Sequence, residues 1–110
     1  MSIKFKEMVV GQTLTAAPAS YYAAPALTSA TIQAATVYNP TGAPVTVLIY
    51  KVPSGGSANA STLISTRAIP AGASLSPIEA INHKLEPGTQ LFATGLALTL
   101  NISGIEYIPE

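Results

Sequence analysis

A chain of 110 residues with no net charge and 9% charged residues departs from the ordinary soluble domain, which carries about 25%. The five cations, Lys4, Lys6, Lys51, Arg67 and Lys84, are scattered and build no field for nucleic acid, and the absence of cysteine excludes disulfides and thiolate zinc sites. No apolar run approaches the ~20 residues of a membrane-spanning helix, and the length suits one domain burying ~65% of its unfolded surface.

The chain opens on "MSIKFKEMVV", where Ile3 and Phe5 alternate with Lys4 and Lys6. Two lysines without a following apolar stretch do not make a signal peptide, so the expectation is a protein cytosolic when made and neither secreted nor membrane-bound by its own sequence. The alternation predicts a strand over Ile3–Val10. The Ala/Pro-rich stretch Ala17–Leu27 reads as an extended linker, because its two prolines oppose a helix. Further strands are predicted at Thr28–Tyr38, Val45–Val52, Thr62–Ile69, Leu75–Ile81, Gln90–Thr94, Ala97–Ile102 and Gly104–Ile108, rich in β-branched and aromatic residues.

Turn chemistry separates them. Asn39-Pro40-Thr41-Gly42 and Ile69-Pro70-Ala71-Gly72 suit type I turns, and Glu86-Pro87-Gly88-Thr89 suits type II with Gly88 at positive φ. Pro53–Ser61 has no apolar residue larger than alanine and reads as a flexible hairpin tip. Short strands at this spacing predict an all-β chain: a single-domain, jelly-roll-like β-sandwich of about eight strands with an extended N-terminal segment. The segment is drawn as residues 1–12, an arm or edge strand, and the sandwich as residues 13–110.

Chemistry-bearing residues are sparse. His83 is the only histidine, and no G-x-S-x-G turn presents a nucleophile to it; it reads as a loop histidine. Five dispersed glutamates, with no Asp or Cys, assemble no metal-ligand spacing, and the Gly-rich "PSGGS" lacks the lysine and helix of a phosphate loop. No catalytic residue, cofactor or metal is assigned, and the chain is read as a non-enzyme.

The surface is the informative part. In Val45–Val52, Val45, Val47 and Ile49 take one face while Leu48, Tyr50 and Val52 take the other. A small sandwich buries one face; the second needs a cover from the N-terminal segment, a sister subunit or another protein. Tyr21 and Tyr22 stand adjacent, so one ring is expected inward and the other outward, and Met8 is a further large apolar residue of the same N-terminal segment as Ile3 and Phe5. The candidate interface is therefore Ile3, Phe5, Met8, Tyr21, Tyr22, Leu48, Tyr50 and Val52. The arm is expected to dock as an edge strand, preferentially on a neighbouring subunit, with Gly11 and the Ala/Pro stretch as hinge.

Several stretches carry a resemblance: "YYAAPALTSATIQAATVYNPTGAPVTVLIYKVPSGG", then "RAIPAGASLS" and "LEPGTQLFATG", with a closing "SGIE". Over about residues 20–108 the pattern resembles small virion proteins of tailed bacteriophages, and among them head decoration, cement or staple proteins. That resemblance implies a structural protein on the outer surface of the capsid, bound to the phage major capsid protein and itself a homo-oligomer, dimer or trimer, without nucleic acid or membrane as partner. The alternative it implies is a tail- or fibre-associated β-module, with host-glycan binding as its activity. Thr89 stands where such proteins carry Asp in the Pro-Gly turn, which argues against a metal there.

Overall fold

The computed structural model describes residues 2–108; the expected segment limits at residues 1 and 110 lie outside them. In chain order the elements are β1 (Ser2–Thr13), β2 (Ala19–Ala23), β3 (Ser29–Tyr38), β4 (Val45–Val52), β5 (Leu63–Ile69) and β6 (Ser74–Leu75). A 3-10 turn at Ile78–Ala80, β7 (Lys84–Leu85), β8 (Gln90–Thr94) and β9 (Thr99–Ile108) complete the chain. All pairings are antiparallel. The first sheet runs β1-β9-β3-β6, with β7 also pairing with β3; the second runs β2-β8-β4-β5. The result is an all-β sandwich of jelly-roll-like form.

Alternation builds the core. Ile32 and Val37 of β3, Leu100 and Ile102 of β9 and Val9 of β1 face Val47 and Ile49 of β4 and Leu91 and Ala93 of β8, all buried. Each large side chain so buried contributes ~1.5–3 kcal/mol. Asn39 follows β3 and is fully buried. Its Nδ2 donates to the Ala43 and Ile69 carbonyls at 2.8 and 2.9 Å, and its Oδ1 accepts the Thr41 N–H at 2.9 Å, so one side chain ties the β3–β4 turn to the end of β5.

The centre of the first sheet is irregular on both sides of one residue. The β1–β9 register shifts between Glu7 and Val9, and the β3–β9 register shifts between Ile32 and Ala34. These bulges flank Gly104, where a β-carbon would stand 2.1 Å from the Thr31 carbonyl oxygen and 2.8 Å from the Met8 sulfur. Gly104 is therefore a point of close approach within a strand, and the two short strands expected at Ala97–Ile102 and Gly104–Ile108 are one strand, β9.

Other expectations change for local reasons. The presumed linker contains β2, paired with β8 through a shift between Ser20 and Tyr22. Of the run expected as a strand over Leu75–Ile81 only Leu75 lies in the sheet, as the end of β6, because Pro77 cannot donate to a ladder and Ile78–Ala80 curl into the 3-10 turn. Near Pro70 the turn is shifted by one residue: Ala73 N–H donates to the Pro70 carbonyl and Gly72 has φ +71°. Gly88, at φ +86° with Thr89 N–H donating to the Glu86 carbonyl, sits where the type II reading placed it. Gly11, expected as a hinge, has φ +55° within β1, its N–H held by Asn101 Oδ1 at 2.7 Å.

Candidate interaction surface

The N-terminal segment was expected to prefer a neighbour; it instead completes its own first sheet as edge strand β1, from Ser2 opposite Ile108 to Thr13 opposite Thr99. Pairing sets its faces. Lys4 lies opposite Glu106 and Lys6 opposite Gly104, toward the sandwich interior, whereas Ile3 opposite Tyr107 and Phe5 opposite Ile105 point outward. Ile3 is 63% and Phe5 78% exposed, while Ile105 and Tyr107 are half-buried. Met8, at the bulge, turns into the core.

The outward side chains of the second sheet behave differently. Pairing aligns Ser20, Phe92, Tyr50 and Leu63 in one row across four strands, with Leu48 in the next between Thr94 and Thr66. Phe92, Tyr50, Leu63 and Leu48 are all half-buried, each shielding its neighbours. Val52, outward by alternation, is fully buried. Tyr21 falls at the β2 register shift and packs on the core, so both adjacent tyrosines turn inward.

Three of the eight candidate interface residues, Met8, Tyr22 and Val52, are thus buried within the chain. Tyr21, Leu48 and Tyr50 are half-buried, and only Ile3 and Phe5 are prominently exposed. Ile105 and Tyr107, which share the outward face with Ile3 and Phe5, were missed; their alternation with Gly104 and Glu106 was the signal.

Tyr22 has a specific inward role. Its hydroxyl donates to Glu106 Oε2 at 2.5 Å, joining β2 of one sheet to β9 of the other, with both residues buried. Burial, and then the hydrogen bond to this carboxylate, hold the Tyr22 phenol well above the usual tyrosine range, so it stays a donor. Glu106 also borders a cavity of about 250 Å³, with Ser2, Lys4, Pro25, Thr28 and Ile108.

Elsewhere the ionisable groups are structural. Glu79, in the 3-10 turn, accepts from both Arg67 Nε and Arg67 Nη2 and from Ser65 Oγ. Chiefly through the arginine, its carboxyl is pulled down to about 2. Partial burial, then the charge of Lys51, push the His83 imidazole below its ordinary range. His83 serves the fold through its backbone, its carbonyl accepting the Ile32 N–H at 3.1 Å. Among the described residues no three His, Cys, Asp or Glu side chains gather as a metal-holding group, and no helix is long and apolar enough to cross a membrane.

Fold and surface together define a β-sandwich whose first sheet presents exposed Ile3 and Phe5 on its outer face; Leu27, Ile78 and Leu96, comparably exposed, lie outside the strands. No protein-family model matches the chain, and no curated protein sequence does. Among solved structures it is similar to the subunit of Bacillus endospore appendages, described as a novel family of disulfide-linked pili. The TM-score is 0.57 at 22% identity, over 99% of this chain and 90% of that one. A second similarity, at TM-score 0.49 and 14% identity, is to a chain of infectious bursal disease virus, of which 31% is covered. At these identities the likeness is one of fold.

Proposed function

We propose that this protein is a structural assembly subunit, and specifically a decoration or cement protein that binds the phage major capsid protein on the outside of the head. The observation that carries this reading is the bare apolar face around Ile3 and Phe5 on a chain with so few charges. Surfaces of that kind mark contact sites between proteins. The virion-like sequence pattern over residues 20–108 supports the capsid as partner and the virion surface as location. Many weak contacts repeated over a lattice would then sum to firm binding.

A second reading is favoured by the similarity to the appendage subunit, which spans nearly the whole of both chains. In it this chain is a filament or tail-fibre subunit. The chain has no cysteine, so any such filament is joined without disulfides.

The two readings separate by electron microscopy. Purified protein is incubated with heads that lack it, and attachment is scored beside self-assembly alone. A regular lattice of added density on heads supports the cement reading. Filaments from the protein alone support the second, and neither outcome at high protein concentration removes both.

A further inference from the structure

We propose that the outer face of the first sheet is a self-complementary surface that pairs with the same face of a second copy about a two-fold axis. The inference deepens the reading above, on which it rests, by naming the surface through which copies of the chain meet.

Register places the outward residues in rows. Phe5, Ile105, Thr31 and Lys84 form one row across β1, β9, β3 and β7. Ile3, Tyr107 and Ser29 form the row on one side, and Glu7, Ser103 and Ala34 the row on the other. Size is segregated by strand. β9 presents the large Ile105 and Tyr107, while its neighbour β3 presents Ser29, Thr31 and Ala34. Beside them is a hollow of about 300 Å³, bordered by Glu7, Ala34, Thr36, Asn101 and Ser103.

Charge is segregated as well. Of the charged residues in the paired strands of this sheet, Lys4, Lys6 and Glu106 alternate inward; Glu7 and Lys84 point outward, at opposite edges. An axis running parallel to the strands, over the gap between β9 and β3, lays β9 on the partner's β3 and β1 on the partner's β7. Large side chains then stand over small ones twice. Phe5 lies against the aliphatic stem of the partner's Lys84, and Glu7, two residues along (~7 Å), comes within reach of the same lysine's charge. Packing a β1 edge on a β1 edge about an axis crossing the strands near Glu7 would instead set acid beside acid. With any such placement Glu7 loses Lys84 as its partner, so the charge pattern favours the axis parallel to the strands.

The face is about four strands wide and seven residues long, a projected ~450 Å² per copy from sheet spacings. A standard interface buries ~800 Å² per partner. The pairing is therefore one that dissociates on dilution, suited to an assembly in which lattice contacts add to it.

The test is a charge swap read by sedimentation equilibrium across a micromolar concentration range. The wild-type chain is expected to dimerise reversibly. Glu7→Lys and Lys84→Glu are each expected to weaken dimerisation about tenfold or more, with melting temperatures unchanged because both positions are exposed. An equimolar mixture of the two single variants should regain a dimer, since in the mixed pair the axis sets the two substituted residues against each other and the two unsubstituted residues against each other, opposite in charge at both contacts. The double variant should regain it too. Phe5→Ser gives a check without charge, with a similar loss expected.

A wild-type chain that stays monomeric at high concentration, a dimer indifferent to all three substitutions, or single variants that fail to complement on mixing would each overturn the proposal. Attachment to heads or filament formation is a separate readout. A dimer that does neither counts against the proposed function alone, and a strict monomer that still coats heads counts against this surface alone.

Discussion

The two sheets dispose of their outward apolar side chains in opposite ways. On the second sheet Leu48, Tyr50, Leu63 and Phe92 stand in adjacent cross-strand positions and half-bury one another, and Val52 is covered entirely. On the first sheet Phe5 and Ile3 sit at the edge strand, with neighbours on one side only, and stay largely exposed. The apolar character of Val45–Val52 on both faces is therefore largely met within the chain, whereas the outward side chains of the N-terminal strand stay uncovered. A strand that is apolar on both faces is no guide to an interface until its cross-strand neighbours are known.

The largest expected effect would break the first sheet itself. Gly104→Val drives a side chain into the Thr31 carbonyl and Met8, and should cost about 3 kcal/mol or more. Chemical denaturation checks it, and a loss below ~1 kcal/mol would mean that the bulges yield easily. Next is the link between sheets. Tyr22→Phe leaves Glu106 without its buried donor and should cost ~1–3 kcal/mol, with self-association unchanged.

Smaller effects sharpen the contrast between faces. Tyr50→Ser should lower stability by about 1 kcal/mol through lost half-buried area, without altering association. Phe5→Ser should change stability by less than ~0.5 kcal/mol and alter association alone. Thermal melts of the two variants side by side test this, and equal destabilisation would erase the distinction. The smallest effect concerns pH. Glu79 is depressed to about 2, so its stabilising contribution is present above the ordinary carboxylate range and is lost as pH falls through the depressed value. The pair is exposed and screened by solvent, so the melting temperature should fall only slightly with acidification, and Arg67→Ala should remove that slope.

Much of the sandwich was legible in the sequence because alternation and turn residues are local signals. Val45–Val52 and Gln90–Thr94 begin and end where their composition says, and Gly88 sits in its turn as Pro87 before it requires. What escaped depends on partners distant along the chain. β2 exists because β8 offers it an edge, and β7 because Ala30 and Thr31 accept Leu85 and Lys84. Gly104 reads as the start of a separate strand until Thr31 is found against it. The candidate surface follows the same rule. Ile3 and Phe5 could be named from alternation, whereas Leu48, Tyr50 and Val52 needed the register that aligns Phe92 and Leu63 beside Tyr50. Glu7 and Lys84 could not be seen as members of one face before β1 and β7 were placed in the same sheet.

The most direct measurement is hydroxyl-radical footprinting of the intact chain at low and high protein concentration. Oxidation of Phe5, Ile3 and Ile105 should fall as concentration rises, while that of Tyr50, Phe92 and Leu48 stays constant. Protection of the second group with the first unchanged would contradict the assignment of the contact face to the first sheet.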